Sequence, residues 1–256
     1  MHKLKVTQVK KLSLPKHTQT EPIFCGFNID HTQGYKRNLP HLRIEGATYF
    51  VTFRLADSIP ETVMTQWLEE RNLWLQELGI DPKLQKFDNN RFRQLYDAIP
   101  MLEKIKYERK RLNRYFKELD ECHGDCILLE YKQIMASSIE FFHGKRIWVG
   151  DYVVMPNHVH LIVQPFKGIR LEEWLYSIKR CTAKKINVEI ANEGANLATC
   201  YKKMWQEESY DRVIRNCNEL ARTRKYIANN PVNLRENSYL LKQMLWLDQF
   251  SPSFKL

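Results

Sequence analysis

The stretch Val153 to Pro165 reads VVMPNHVHLIVQP, and it sets His158 and His160 one residue apart inside an apolar run. On a β-strand, side chains two apart point the same way. Both imidazoles therefore share one face, with Val159 and Leu161 on the other. Two neutral imidazoles on a rigid strand can supply half of a metal site. Two buried histidines in an ordinary apolar strand give the same pattern, so the pair alone decides nothing. A second candidate group lies late in the chain, in NELARTRKYIANNP. Tyr226 and Asn230 are four apart and share one helical face. A phenol and a carboxamide placed there could reach a strand-borne histidine pair. Taken alone, a core tyrosine and a helix C-cap account for the spacing better.

The elements that must position these residues can be read in order. Gly46 to Leu55 is rich in aromatic and β-branched residues and predicts a strand. Pro60 opens a helix in which Val63, Trp67, Leu68, Leu75 and Leu78 recur at the helical period, ending at Gly79. Asp81 to Leu119 is highly charged and predicts one or two more helices. Its run Lys104 to Tyr115 is basic with aromatic interleaving, which suits a phosphate-binding face and also a plain solvated one. Glu130 to Phe142 predicts another helix. Arg146 to Met155 and His158 to Gln164 are strands joined by a tight turn at Pro156-Asn157, so they are antiparallel neighbours. Arg170 to Ala191 is helical, with Leu171, Trp174, Leu175, Ile178 and Ile186 toward the core. Glu193 to Thr199 reads as a loop, and Tyr201 to Val213 holds a short strand at most. Asn218 is placed to cap a helix from Glu219 to about Asn229, with the acidic Glu219 in its first turn. Pro231 ends that helix. The apolar LLKQMLWL segment near the end is suited to packing back on the domain.

The chain has 256 residues and a formal net charge of +10, with pI near 9.2. That balance suits a polyanionic partner such as nucleic acid or an acidic membrane surface. No apolar run is long enough to span a bilayer. The basic N-terminus lacks an apolar signal-peptide core, so a cytoplasmic location is expected. Six cysteines are scattered (Cys25, Cys122, Cys126, Cys181, Cys200, Cys217), and reduced thiols are the expectation. ECHGDC, Cys122 to Cys126 around His123, lacks a second ligand pair for structural zinc.

Five blocks taken together carry a family resemblance: NLPHLRIEGATYFVTFRLADS, VVMPNHVHLIV, SIKRCTAKKIN, WQEESYDRVIR and RKYIANNPV. In this order, from about Arg37 to Val232, the chain resembles the REP-associated tyrosine transposases, single-tyrosine HUH enzymes of the IS200-like transposase superfamily. HUH denotes His, hydrophobic residue, His, here His158, Val159 and His160. The resemblance implies an α+β fold, an antiparallel sheet of ferredoxin-like or RRM-like type flanked by helices; the chain departs from the compact members in a long helical insertion between the first strand and the HUH strands. The organisation expected is a basic, partly irregular arm at 1–36, a catalytic domain at 37–235 with the insertion at about 57–145, and a tail at 236–256. It also implies metal-dependent cleavage of single-stranded DNA and strand transfer at hairpin-forming imperfect palindromes, through a 5′-phosphotyrosine. Carried over residue by residue, Tyr226 matches the nucleophile, and His158, His160 and Asn230 match the ligands of a divalent metal, Mg2+ or Mn2+. The partner implied is hairpin DNA, with a nucleoid-associated, bacterial-type location.

Tyr210, in SYDR, lacks the Asn-Pro spacing that marks Tyr226. Lys179, Arg180, Lys184 and Lys185 are candidates for holding DNA phosphates, and Arg37 and Arg43 for reading the foot of the hairpin. Trp205 reads as core. HVHLIV superficially resembles the histidine-triad nucleotide hydrolases, but Ile162 stands where those need a third His. Relaxases and replication initiators of the wider HUH class carry extra domains that this length does not hold. A non-catalytic hairpin binder descended from such an enzyme is the alternative. Monomers and dimers that exchange the tyrosine helix are both compatible with the sequence.

Overall fold

A computed structural model describes residues 32–36, 40–193, 203–244 and 247–248, with side chains from Ile44 onward. Two compact units are present, one formed by Met1–Ala56 with Asp125–Leu256 and the other by Asp57–Gly124.

In the first unit, β1 (Thr32–Lys36) and β2 (Pro40–Ile44) form a two-stranded antiparallel sheet. The main sheet is built from β3 (Tyr49–Arg54), β4 (Ile147–Val154), β5 (His158–Pro165), β6 (Tyr210–Val213) and β7 (Leu240–Lys242), in the order β6-β3-β5-β4-β7. Each neighbouring pair is antiparallel. Helix α5 (Leu128–Phe141) lies between β3 and β4 in sequence, and α6 (Leu171–Asn192) between β5 and β6. That succession is strand–helix–strand–strand–helix–strand, the ferredoxin-like pattern, with β7 added at one edge. The fold is thus α+β, as the sequence predicts.

β3, β4 and β5 are buried along their whole lengths, because both sheet faces are covered. One face carries Val51, Phe53, Val159 and Leu161. Against it pack α5, α6 and Trp205, whose ring meets Phe53 at 5.1 Å and whose Nε1–H donates to Thr182 Oγ1. Trp205 is therefore core. The other face carries Phe50, Thr52, His158 and His160, and helix α7 (Cys217–Asn229) lies over it.

Strand β4 changes register between Val149 and Tyr152. A Cβ on Gly150 would stand 2.9 Å from both Ile162 Cβ and Leu247 Cδ1, so the irregular turn of the strand needs glycine. The next residue, Asp151, is fully buried and bonds Arg224 of α7, Nε to Oδ2 2.7 Å. Arg224 also reaches Asp248 Oδ1 at 2.9 Å, and the Met244 amide donates to Asp151 Oδ1. Burial pushes the Asp151 carboxyl up, against the pull of Arg224. The segment after α7 does pack back: β7 pairs with β4, and Met244 and Leu247 are buried.

Two sequence expectations change. Asn216, not Asn218, caps α7: its backbone is extended and its Oδ1 accepts from the Glu219 amide at 2.9 Å. A cap residue sits three before the amide it satisfies, and Asn218 lies inside the first turn. Cys122, Cys126 and Cys181 are not in disulfides, whereas Cys217 is disulfide-bonded.

The second unit holds α1 (Glu61–Glu77), α2 (Leu84–Phe87), α3 (Asn89–Ala98) and α4 (Met101–Asp120). Asp88, which caps α3, and Pro100, just before α4, divide the charged stretch into three helices rather than one or two. Leu75, Ile80, Phe92 and Ile99 form its core, flanked by Trp74, Leu84 and Tyr96. Lys106, Arg111 and Arg114 of the basic run pair with Glu103, Glu108 and Glu70. Residues 57–124 contain twelve Lys and Arg against thirteen Asp and Glu. The positive excess of the chain therefore falls wholly on the first unit. No helix among the described residues is long and apolar enough to cross a membrane.

Candidate functional site

Strand β5 carries the two histidines, and its register sets their neighbours. His160 stands opposite Thr52 of β3, and His158 opposite Arg54. Alternation along β5 turns both imidazoles to the α7 side, where both are fully buried. Their Nε2 atoms lie 3.0 Å apart. The Nδ1 atoms point away from each other, each to its own partner. His158 Nδ1 is 2.7 Å from Asn157 Oδ1, an oxygen that can only accept, so His158 keeps its proton on Nδ1 and a lone pair on Nε2. His160 Nδ1 is 2.7 Å from the Thr52 hydroxyl. Asn157, from the turn between β4 and β5, and Thr52, from the next strand, thus fix the orientation of both rings.

Burial drives the pKa of His158 down to about 3, partly offset by a hydrogen bond with the Asn230 side chain. Burial, and then the neighbouring His158, take His160 well below its ordinary value. Both rings are neutral at pH 7. An unfolded histidine titrates near pH 6.5, so between that pH and about 3 the unfolded chain takes up protons that the folded chain refuses. The stability contributed by the neutral pair is complete above about pH 6.5 and declines as pH falls toward 3. The urea midpoint should therefore drop between pH 7 and pH 4.5, and the drop should shrink in His160→Gln. An equal drop in both proteins would contradict it.

Helix α7 brings Tyr226 over this pair. The Tyr226 hydroxyl lies 3.3 Å from His160 Nε2, and Asn230 Nδ2 donates to it at 3.3 Å. Asn230 continues the helical backbone one residue past α7, with Pro231 next in a 3₁₀ turn. The four-residue spacing therefore projects phenol and carboxamide to the same side. Phe50 walls the group: it stacks on His160 at 5.4 Å and meets Tyr226 edge-on at 5.8 Å. His158, His160, Tyr226 and Asn230, separate in sequence, converge at one place within a single chain.

The donor set suits a divalent cation. His158 Nε2 carries a lone pair, and His160 Nε2 offers one in the tautomer that puts its proton on Nδ1, toward the Thr52 hydroxyl. Such nitrogens are the ligands a divalent ion takes, and orientation of each ring through its other nitrogen is the usual support. Imidazole also suits manganese, and a carboxamide oxygen suits magnesium or manganese.

The remaining candidates are placed elsewhere. Tyr210, on β6, stands opposite Thr52 and meets Phe50 edge-on at 6.3 Å; burial raises its pKa. Lys179 donates to the carbonyls of Gln206 and Glu207 and sits over Phe53, so α6 lies behind the sheet, away from the histidines. Arg180, Lys184 and Lys185 are exposed on that helix, and Lys185 bonds Ser138. Arg43 lies in β2, and Arg37 lies outside the described residues. Sequence reasoning passes over Thr52, Asn157 and Phe50. Asn157 could have been found, since it adjoins the histidines; Thr52 is 108 residues from its partner and leaves no local sign.

Comparisons with known proteins bear on the same residues. No significant match occurs among curated proteins. Among solved structures, the chain is similar to that of a REP-associated tyrosine transposase bound to a REP hairpin. Identity is 17%, over 77% of this chain and 72% of that one, with a TM-score of 0.37. The family model described as "Transposase IS200 like" matches residues 105–230, a stretch that runs through both histidines and ends on Asn230. Over this stretch, just under half of the chain, the protein is similar to the IS200-like transposases.

Proposed function

We propose that this protein cleaves single-stranded DNA beside hairpin-forming repeats and transfers the strand, using Tyr226 as nucleophile. The observation that carries the reading is the Tyr226 hydroxyl, 3.3 Å from a buried, neutral imidazole whose own Nε2 faces a second one.

A phenol near pKa 10 is mostly protonated at pH 7, and a phosphodiester repels an incoming nucleophile. Asn230 Nδ2 donates to the phenol oxygen, which favours its anionic form and holds its direction. The edge of Tyr226 against Phe50 restricts the ring to one orientation. The Tyr226 oxygen bonds phosphorus and gives up its proton. The bond from phosphorus to the 3′ oxygen breaks, and that oxygen leaves as a 3′-hydroxyl. The 5′-phosphotyrosine keeps the energy of the phosphodiester, so a later 3′-hydroxyl can rejoin the strand by the reverse step. His158 and His160, with Asn230, would hold Mg2+ or Mn2+. Such an ion neutralises charge on a non-bridging phosphate oxygen.

The reading is tested by incubating the purified protein with labelled hairpin-flanked single strands and Mn2+, then denaturing in detergent. A labelled protein band that disappears with EDTA is expected. DNA binding with no covalent band at any metal concentration would favour instead a hairpin binder without catalysis.

A further inference from the structure

Four of the cations that sequence reasoning places near DNA, Lys179, Arg180, Lys184 and Lys185, lie on α6, behind the sheet. Different cations stand on the histidine face. In β6, the terminal strand of the sheet, Arg212 pairs in register with Phe50 and Tyr210 with Thr52. Directly opposed residues on neighbouring strands share a face, so Tyr210 and Arg212 border the group formed by His160, Phe50 and Tyr226. One aromatic ring, Phe50, touches His160, Tyr210 and Tyr226 alike.

Arg212 does not hang free there. It pairs with Glu219 of α7, and hydrogen-bonds the Tyr210 hydroxyl. Arg215 pairs with the same carboxylate through Nε at 3.4 Å, and its backbone amide donates to it at 3.1 Å. Glu219 is nearly buried, whereas the Arg212 and Arg215 side chains are 52% and 62% exposed. Two guanidiniums therefore share one carboxylate. One positive charge is left over, and both forks keep outward N–H groups in a fixed direction. A guanidinium held on its inner side and open on its outer side is suited to grip phosphate oxygens.

We propose that Arg212 and Arg215, held by Glu219, grip backbone phosphates of the DNA strand next to the scissile one, so that the strand enters along β6. This rests on the DNA-cleaving reading above and adds the path of the substrate.

The test measures binding of the full chain to a labelled single-stranded oligonucleotide across a NaCl series, without metal. Each phosphate contact contributes about 0.7 to the slope of log affinity against log salt for single strands. Arg212→Ala/Arg215→Ala should weaken binding roughly tenfold and lower the slope by about 1.4. Arg212→Lys/Arg215→Lys retains the charge and should restore most of the slope, which separates a phosphate grip from mere support of α7. Lys184→Ala/Lys185→Ala on α6 should lose less than the arginine pair. An unchanged slope in the arginine-to-alanine protein, or a larger loss from the α6 pair, overturns the proposal. Binding by the parent chain that follows this pattern, with no covalent band when Mn2+ is then supplied, would sink the cleavage reading and leave the phosphate grip standing.

Discussion

Tyr226→Phe should lower formation of the covalent DNA product by on the order of 10⁴-fold or more, since it deletes the attacking atom. The fold should survive. The ring of Tyr226 is the part packed edge-on against Phe50, and phenylalanine keeps it. What is lost is one oxygen near His160 Nε2 and Asn230 Nδ2, each at 3.3 Å. Loss of bonds that long should change stability by no more than about 1 kcal/mol. Metal affinity should be retained, because His158 and His160 keep their partners Asn157 and Thr52. Tyr210→Phe is the matched control: it lies on the same side of the sheet but lacks an asparagine four residues on. A denaturing gel for the labelled adduct, beside a thermal melt, reads both. An adduct that persists in Tyr226→Phe, or vanishes in Tyr210→Phe with its fold intact, would reassign the nucleophile.

Arg224→Met should cost about 3–5 kcal/mol of folding stability, the range for breaking a buried ion pair by removing one member. Arg224 is 2% exposed and Asp151 0%. Methionine fills similar space but leaves Asp151 buried without its cation and facing Asp248. Against a total of about 5–15 kcal/mol for an ordinary domain, that is a large fraction. The double variant Arg224→Met/Asp151→Leu should recover part of the loss, because it removes the stranded charge as well. Urea unfolding followed by tryptophan fluorescence measures all three proteins. A single variant less than about 1 kcal/mol weaker than the parent would show that the pair is solvated in solution.

What the sequence made legible was local. The shared face of His158 and His160 follows from a two-residue period, and that of Tyr226 and Asn230 from a four-residue one. Both periods survive folding unchanged. The strand pair around Pro156-Asn157 was legible for the same reason. What stayed hidden needed two distant parts of the chain. Asp151 and Arg224 are 73 residues apart, and an acid inside an apolar strand shows no partner until the strand slips at Gly150. The lysines and arginines of α6 were visible as a charged face. Nothing in their order reveals which side of the sheet that face occupies. Arg212 and Arg215 were plain in WQEESYDRVIR, but their common hold on Glu219 depends on β6 running directly into the cap of α7. The cap itself was misplaced by two residues, since Asn216 and Asn218 are equal candidates until the backbone shows which is extended.

The tie between Arg224 and Asp151 also bears on how freely copies of this protein could trade their nucleophiles. A swapped dimer would rebuild the same contacts across the two chains, so its final balance need not suffer. The passage between the forms is another matter. Each α7 would have to draw a guanidinium out of a dry seat before finding the equivalent seat next door, and the segment through Asp248 would have to loosen with it. Monomer and exchanged pair should thus interconvert slowly, and whichever form leaves the ribosome should persist long enough to be isolated.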